Sequence, residues 1–303
     1  LGNFDGVHRG HQRVIAPILR SALLSDSNPY APTKDAAFPT VVTFHPHPQQ
    51  FFSGQHRTLL TPLDEKVRYL KALGVQQLVL LPFNQMLASL TPEEFVTHIL
   101  IEQLQAQQIS IGQNFCFGRR RSGTATDLQT LAAHYQVPVD IVPLHTCENE
   151  RISSSAIRHA LQQGNLARAN QLLGRPYTLI GQVVQGQQLG RTIGFPTANL
   201  QLPAEKFLPQ QGVYSVWVHL QTPGRLSDPL PGVMNIGKRP TVDGTQQTIE
   251  VHVLDWTGDL YGKTLTVSLE GFLRPEQKFA SLDDLKAQIE ADCNVARSRL
   301  GNG

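Results

Sequence analysis

The sequence predicts an α/β domain with a parallel sheet, followed by an antiparallel β-barrel that ends in a helix. Up to about residue 160, short apolar runs alternate with helical stretches, an order that favours a parallel sheet covered by helices. From residue 177 onward the apolar runs are longer, alternate with period two and are separated by glycine and proline, as in antiparallel strands. With 303 residues, the chain is long enough for two domains with cores of their own.

These patterns place the first domain at residues 1–160, a helical linker at 161–175 and the second domain at 176–303. In the first domain, helix boundaries are marked by Thr91-Pro92 with Glu94, a capping box with proline at the first helical position, and by Gly74 after another helix. In the second domain, Ser281 is expected to cap the last helix. The expected strands are residues 41–44, 78–81, 109–111, 137–144, 212–220, 248–254 and 263–272, and the expected helices are residues 12–24, 61–74, 126–135 and 156–173 and the stretch from about 283.

Composition excludes several classes of protein. The net charge is +2 and only 17% of residues are charged, so no large basic field indicates a nucleic-acid partner. Cys116, Cys147 and Cys293 are few, odd in number and far apart, which favours a reducing compartment over a disulfide framework or a zinc site. No apolar run approaches the roughly 18 residues of a membrane span. The first residues also lack the charged segment followed by an apolar segment that is typical of a signal peptide. We therefore expect a soluble, cytoplasmic protein that is a monomer or a weak homo-oligomer.

The first motif is the glycine-rich stretch of residues 2–11, placed where a strand turns into a helix. Gly6 and Gly10 allow a tight turn and a close approach to phosphate, and the following helix presents free N–H groups. His8 and His11 are three residues apart and can face one anion, donating hydrogen bonds to phosphoryl oxygens. The alternative is two solvated histidines in a turn.

A second motif, residues 151–158, supports the nucleotide interpretation because its serines can form a helix N-terminus that faces more phosphate. Together the two motifs resemble the nucleotidylyltransferase superfamily, whose α/β domain is Rossmann-like. The cluster Arg119-Arg120-Arg121 before Ser122-Gly123 suits a phosphate-binding loop, and a plain solvated loop fits equally well. Adenylyl transfer to a phosphate needs charge stabilisation and alignment more than a strong base.

The second half carries its own motif at residues 190–199, which is glycine-rich but lacks the Lys-Ser/Thr ending of a P-loop. Thr197 and Asn199 can offer neutral oxygens to Mg²⁺. On their own these residues fit a turn and strand start at least as well. Glu250 lies on an alternating strand, on the face opposite Ile249 and Val251, and a carboxylate there can accept the proton of an attacking hydroxyl. A solvated carboxylate on an outer face is the alternative.

The whole chain resembles the bacterial bifunctional riboflavin kinase/FAD synthetase family. The resemblance implies an FMN adenylyltransferase domain in the first half and a riboflavin kinase barrel in the second. The motifs that carry it, in chain order, are residues 2–11, 43–48, 80–83, 112–118, 152–158, 173–177, 196–199, 235–241 and 272–276.

The resemblance also implies roles for matching residues. In the first domain, His8 and His11 would contact the ATP phosphates, Asn114 would hold a nucleotide or FMN phosphate, and Ser154, Ser155 and Arg158 would stabilise the departing pyrophosphate. In the barrel, Thr197 and Asn199 would bind Mg²⁺ and ATP phosphates, Glu250 would be the general base, and Arg274 and Glu276 would border the flavin. Further expected contacts to ATP or phosphate are Gly2, Phe4, Gly10, Gly190 and Gly194.

The implied function is the phosphorylation of riboflavin by ATP to give FMN, then adenylylation of FMN by a second ATP to give FAD and pyrophosphate, both with Mg²⁺. The family normally carries a stretch before Gly2 that supplies most of a central strand, so its absence from this sequence threatens the first domain. The main alternative is therefore a riboflavin kinase with an inactive first domain. A flavin-binding regulator without turnover and an adenylyltransferase for another small acceptor are the others.

Overall fold

The computed structural model describes residues 1–25, 37–148, 150–186, 190, 193–222, 225–241 and 244–301. The chain forms two compact units, Leu1–Ser154 and Ser155–Gly303. Within the described ranges, no helix is both long enough and apolar enough to cross a membrane. The domain boundaries predicted from the sequence, at residues 160 and 175, stay a prediction.

Parallel strands form the centre of the first unit, as the sequence predicts. Strand β1 (Thr40–His45) pairs with β2 (Gln77–Pro82), and β3 (Ile109–Gly112) pairs with β4 (Val139–Val142). The chain start lies between these two pairs, because the nitrogen of Leu1 donates to Ser110 O at 3.1 Å and Gly2 N donates to Val42 O at 3.1 Å. Within each pair the two strands direct their carboxyl ends the same way, and ligands of parallel sheets bind beyond such ends.

Complete capping boxes start two helices of the first unit, and one of them is the box predicted at Thr91. The Thr91 hydroxyl accepts from Glu94 N while the Glu94 carboxylate accepts from Thr91 N, a complete capping box, and Thr124 with Asp127 forms a second one. The helices are α1 (Arg9–Ser25), α2 (Pro48–Ser53), α3 (Leu63–Ala72), α4 (Gln85–Ser89), α5 (Pro92–Glu94), which continues as a π-helix (Phe95–Gln103), and α6 (Ala125–Ala133); a short hairpin, β5 (Thr146–Cys147) and β6 (Glu150–Arg151), follows β4.

The predicted helical stretch of residues 156–173 is divided into two helices, α7 (Ser154–Gln162) and α8 (Leu166–Leu173). Gly164 has a φ of 69°, a conformation that interrupts the helix, and the Asn165 side chain starts the next one by accepting from Arg168 N at 3.1 Å. Helical periodicity continues across such a break, so the pattern alone does not reveal it.

The second unit contains the predicted antiparallel barrel. Its strands are β7 (Tyr177–Val184), β8 (Ala198–Gln201), β9 (Gly212–Thr222), β10 (Arg225–Leu226), β11 (Leu230–Thr241), β12 (Gly244–Val253) and β13 (Thr264–Arg274). They are hydrogen-bonded in the order β9, β11, β12, β8, β7, β13, and β13 also pairs with β9, which closes the barrel. Side chains such as Leu179, Val218 and Met234 are fully buried inside it.

The last helix, α9 (Leu282–Gly301), packs against the outside of the barrel. The Ser281 hydroxyl accepts from Asp284 N at 3.1 Å, which confirms the predicted cap. Cys293, Ala296 and Leu300 pack against Val213 and Val233 of the sheet. One outer face of the barrel is therefore partly covered, next to the strands that carry the predicted kinase residues.

Candidate active sites

The histidine loop, residues 2–11, is a buried and conformationally restricted turn. Phe4 and Val7 have φ values of 48° and 43°, and Gly6 has a φ of 93°. Non-glycine residues rarely adopt positive φ, so surrounding contacts must hold this backbone in place. Phe4 and Val7 are almost fully buried and supply part of those contacts through the core between α1 and β1.

A buried carboxylate holds the turn. Asp5 Oδ1 accepts from Leu60 N at 2.8 Å and from Thr61 N at 3.3 Å, and Gly6 N donates to Thr61 Oγ1 at 2.9 Å. The sequence alone indicates no role for Asp5, and it predicts a helix start at Thr61-Pro62. The helix in fact begins at Leu63, and Pro62 makes no side-chain cap. The Thr61 hydroxyl supports the histidine loop instead.

Lys66 is a second residue that sequence analysis missed. Its Nζ donates to Asn3 O at 2.9 Å, and Thr43 Oγ1 donates to the same oxygen at 3.2 Å. Burial lowers the pKa of Lys66, and the nearby Asp5 carboxylate opposes that shift. The sequence signal that could have revealed Lys66 is the position of a lysine on the buried side of a predicted amphipathic helix. The charge of Lys66 lies beside the Asn3 carbonyl of the histidine loop, where it adds positive potential.

The two predicted histidines are brought together. Their rings stack with centroids 3.5 Å apart and planes 14° apart, and His11 N donates to His8 Nδ1 at 3.3 Å. Phe4 meets His11 edge to face at 5.2 Å. His8 is only 5% exposed, so the alternative of two solvated histidines is wrong for this residue. A Cβ at Gly10 would lie 3.2 Å from the His8 ring, so glycine allows the close packing of this pair.

Part of the second motif reaches the same loop. Ser154 Oγ donates to Asp5 O at 2.8 Å, a contact between residues 149 positions apart. Ser155 and Arg158 continue on α7, in the second unit, where the Arg158 guanidinium lies 4.8 Å from the centre of the Phe207 ring.

Asn114 lies in the exposed turn after β3, at the carboxyl edge of the sheet. Its Oδ1 would be 3.4 Å from a Cβ placed on Gly112, so the amide packs over that glycine. The arginine cluster Arg119–Arg121 forms an exposed 3-10 turn farther along the same loop.

A cluster of phenylalanines lies at the carboxyl ends of β1 and β2, and the sequence alone indicates no role for it. Phe83, directly after β2, is met edge to face by Phe44, Phe51 and Phe52 at centroid distances of 5.8, 5.4 and 5.7 Å. Phe52 is 71% exposed. Aromatic faces that open to solvent can stack on a flat ring system. The adjacent Phe51-Phe52 pair was the signal in the sequence.

In the barrel, the strand register gathers the predicted kinase residues. Glu250 of β12 is the direct partner of Asn199 on β8 and, on its other side, of Asn235 on β11. Directly paired residues of an antiparallel sheet point to the same face. Ile249 and Val251 are buried on the opposite face, which confirms the predicted alternation of β12. Three polar side chains therefore form one row across three strands.

The segment that carries Thr197 and Asn199 is fixed from two sides. His252 Nδ1 donates to Pro196 O at 2.8 Å, and the imidazole meets Phe195 edge to face at 5.7 Å. A Cβ at Gly186 would collide with the Asn199 side-chain amide, so this position requires glycine. Of the rest of the motif, Gly190 and Gly194 are described and Arg191 and Thr192 lie outside the described residues.

Gly190 lies beside the predicted metal-binding threonine. Phe195 N donates to Gly190 O at 2.8 Å, and a Cβ on Gly190 would be 3.3 Å from Thr197 Oγ1. Gly194 has a φ of 93° and faces open space. In the described part of the chain, no three His, Cys, Asp or Glu side chains are grouped to hold a metal. The hydroxyl and amide oxygens of Thr197 and Asn199 fit Mg²⁺ that shares its shell with substrate phosphates.

The segment of residues 274–279, which carries the predicted flavin contacts Arg274 and Glu276, is anchored to α9. Arg274 Nε and Nη2 donate to the carboxylate of Asp292 at 2.8 to 3.1 Å, and Gln288 Nε2 donates to Asp292 Oδ1 at 3.0 Å. Arg274 Nη1 also donates to Pro275 O, and its guanidinium lies 5.7 Å from the centre of the Phe279 ring. Arg274 therefore holds the loop, a role that the sequence did not indicate. Glu276 lies over β11, where its Oε1 accepts from Asn235 Nδ2 at 3.4 Å.

A cavity of about 510 Å³ opens beside this loop. It is rich in side-chain amides and prolines, which offer hydrogen-bonding edges and flat apolar surfaces to a planar heterocycle. Its lining residues are Gln162, Pro209, Gln210, Gln211, Gln247, Pro275 and Glu276.

The fold and these two sites define a two-domain class: an α/β nucleotide-binding domain with a histidine turn, and an antiparallel barrel with a Thr-x-Asn segment beside a glutamate. Family models described as FAD synthetase and riboflavin kinase match residues 1–156 and 173–300, respectively. The chain belongs to the bifunctional riboflavin kinase/FMN adenylyltransferase family.

Curated relatives with that description match over nearly the whole chain. The one from Escherichia coli (strain K12) is 42% identical, covering 99% of this chain and 92% of the relative, and the one from Bacillus subtilis (strain 168) is 36% identical, covering 100% and 92%. A crystal structure titled as a macrolide-efflux protein from Streptococcus pneumoniae superposes with a TM-score of 0.84 at 36% identity, covering 98% of this chain and 92% of that one. The presence of both domains supports two activities rather than the kinase alone.

Proposed function

We propose that the barrel transfers the γ-phosphoryl group of ATP to riboflavin with Glu250 as the general base. The terminal hydroxyl of riboflavin is neutral, so a carboxylate that accepts its proton assists attack on the phosphate. The observation that carries this proposal is the direct register pairing of Glu250 with Asn199. This pairing sets Glu250 beside the segment that would hold the phosphates, which supports the proposed role.

Thr197 and Asn199 would hold Mg²⁺ together with the ATP phosphates. The ion supplies charge neutralisation on the transferring phosphoryl group. The residues of this chain supply the geometry: Gly186 leaves room for the Asn199 amide, and His252 fixes the backbone at Pro196. Gly190 and Gly194 would let the loop approach the phosphates closely.

We propose that riboflavin binds with its ring system in the cavity beside Pro275 and Glu276. The cavity volume of about 510 Å³ lies within the usual range for small-molecule sites. Arg274 contributes by holding the loop against Asp292, because most of its donors are already engaged there.

In the first domain, the histidine loop would bind the phosphates of a second ATP while FMN attacks the α-phosphate. His8 and His11 would donate to phosphoryl oxygens, and Gly2, Phe4 and Gly10 shape the turn that brings backbone close to them. Ser154, Ser155 and Arg158 would assist departure of pyrophosphate, and Asn114 would hold the FMN phosphate. The exposed phenylalanine cluster offers a stacking surface for the flavin ring.

We further expect the enzyme to act in the cytoplasm on small molecules, with no nucleic-acid partner, as a monomer or weak homo-oligomer. The net charge of only +2 and the low proportion of charged residues, 17%, support the absence of a nucleic-acid partner.

A chromatographic time course with riboflavin, ATP and Mg²⁺ tests the proposal. FMN should accumulate first and FAD should follow, and removal of Mg²⁺ by a chelator should stop both. In Glu250→Gln, FMN formation should fall at least about a hundredfold while FAD formation from added FMN persists. Near-normal FMN formation by this variant would exclude Glu250 as the base. A binder without turnover would instead retain flavin and form neither product.

A further inference from the structure

The polar row across the barrel contains a residue without an assigned role. Asn235 stands at the start of the motif of residues 235–241, on β11, and is the direct partner of Glu250. Paired side chains on one face of an antiparallel sheet have Cβ atoms roughly 4.5 to 5.5 Å apart. A group that approaches Glu250 along this face must therefore pass beside the Asn235 amide.

The two ends of that amide differ in their surroundings. Asn235 Nδ2 donates to Glu276 Oε1 at 3.4 Å, whereas Oδ1 is buried and accepts no hydrogen bond from any described residue. The amide is oriented with its nitrogen toward Glu276, because the opposite orientation would bring the amide oxygen against a carboxylate oxygen. A buried acceptor without a donor is destabilising by about 1–3 kcal/mol and is unusual enough to indicate a ligand.

The surrounding backbone is shaped around this contact. Gly237 lies on the same face two residues further along β11, where a Cβ would collide with the Glu276 carboxylate and lie 3.2 Å from Asn235 Nδ2. Glu276 belongs to the loop of residues 274–279 and covers the amide only through the long 3.4 Å contact. Displacement of Glu276 by a ligand in the adjoining cavity would uncover the amide oxygen.

We propose that Asn235 is a substrate-recognition residue of the kinase site, whose Oδ1 accepts a hydrogen bond from a secondary hydroxyl of the polyol chain of riboflavin. This inference rests on the proposed role of Glu250. The polyol is the part of the substrate that leads from the ring to the terminal hydroxyl, and its secondary hydroxyls are donors. One of them would satisfy Oδ1 and hold the terminal hydroxyl toward Glu250.

The test is a cycle between protein and substrate. Initial rates of ATP-dependent phosphorylation are measured for wild type and Asn235→Ala with riboflavin and with analogues that each lack one secondary hydroxyl but keep the terminal one. We expect Asn235→Ala to raise KM for riboflavin about five- to tenfold. With the wild-type enzyme, one analogue should show the same five- to tenfold rise in KM. With Asn235→Ala, the KM for that analogue should be no higher than the KM of the variant for riboflavin. Independent losses for every analogue would overturn the proposal.

Gln221→Ala is the matched control, because it removes a half-buried amide from strand β9 outside the polar row, where Gln221 Nε2 donates to Thr266 Oγ1 at 2.8 Å. It should leave KM unchanged. Should thermal unfolding show that Asn235→Ala is not folded, the same cycle is measured with Asn235→Ser, whose shorter side chain does not reach the same hydroxyl. Glu250→Gln separates the two proposals. Normal turnover by this variant would exclude Glu250 as the general base. Loss of turnover in Glu250→Gln, together with no coupling between Asn235 and any substrate hydroxyl, would exclude only the role proposed for Asn235.

Discussion

The histidine loop and the barrel row position their reactive groups by different means. The loop depends on a few buried hydrogen bonds between distant residues, such as Asp5 with Leu60 and Ser154 with Asp5. The row depends on strand pairing, which sets Asn199, Glu250 and Asn235 side by side through the backbone ladder. Damage to the loop should therefore spread through its contacts, whereas damage to the row should remain local to the altered side chain.

This difference matters for how each site tolerates substitution. In the loop, the positive φ values of Phe4 and Val7 persist because neighbouring contacts over-determine them. In the row, the ladder stays intact when a side chain changes, since its hydrogen bonds come from the main chain. The loop should lose stability and activity together, and the row should lose activity first.

The largest effect is expected for Asp5→Ala. It removes the acceptor for Leu60 N and Thr61 N and leaves these buried donors unpaired, which lowers the stability of the first unit by roughly 2–4 kcal/mol. Misplacement of the histidines by about 1 Å lowers FAD formation from FMN roughly a hundredfold. Denaturant unfolding and an FAD assay check both.

Asp5→Asn keeps an acceptor and should retain most of the stability. Asp64→Ala, at an exposed position of α3, should change neither quantity. FMN formation should continue in all three variants. Normal FAD synthesis by folded Asp5→Ala would show that the buried carboxylate does not organise the loop.

The next effect is expected in the barrel, for Gly186→Ala. The added Cβ meets the Asn199 amide and moves one proposed Mg²⁺ ligand, so FMN formation should fall roughly ten- to a hundredfold. The apparent Mg²⁺ requirement should rise, which a metal titration of the kinase rate measures. FAD formation from added FMN should be unchanged.

Gly301→Ala is the matched control, since a Cβ there meets no atom within 4 Å. Unfolding of Gly186→Ala should match wild type to within about 1 kcal/mol if the row responds locally. A large loss of stability would contradict the comparison drawn between the two sites.

The sequence predicted much of this architecture from local signals. The parallel pairs, the closed barrel, the capping box at Thr91 and the cap at Ser281 are all confirmed. Each depends on residues a few positions apart or on alternation along one strand. The position of Glu250 on the face opposite the buried Ile249 and Val251 is confirmed for the same reason.

What the sequence missed depends on contacts across long distances in the chain. Nothing near Asp5 indicates that it binds the backbone of Leu60, and Thr61 has the local pattern of a helix cap. Asn235 becomes a neighbour of Glu250 only through the β11–β12 register. The pairing of strands and the folding of loops onto them are non-local, so a single sequence leaves them undetermined.

A smaller effect is expected for Asp292→Asn, which weakens the anchor of residues 274–279, the proposed flavin-binding loop. The neutral amide replaces a carboxylate that accepts from Arg274 and Gln288, so KM for riboflavin should rise about tenfold with kcat nearly unchanged. A kinetic analysis with varied riboflavin measures this. Asp283→Asn, at an exposed site on the same helix, is the control. An equal fall in kcat would indicate that the loop acts on the chemical step rather than on binding.

The smallest effect is expected for Ser154→Ala, which removes one neutral hydrogen bond from the histidine loop. Loss of the donor to Asp5 O should be destabilising by about 1 kcal/mol and lower FAD formation about fivefold. Ser89→Ala removes a similar hydroxyl-to-carbonyl bond, to Met86 O, at an exposed helix end, and should leave the rate unchanged. Because Ser154 acts through the same carbonyl-bearing residue as the carboxylate contacts, Ser154→Ala combined with Asp5→Asn should lose less than the sum of the two free-energy changes. Additive losses would mean that Ser154 acts on the nucleotide independently of the loop.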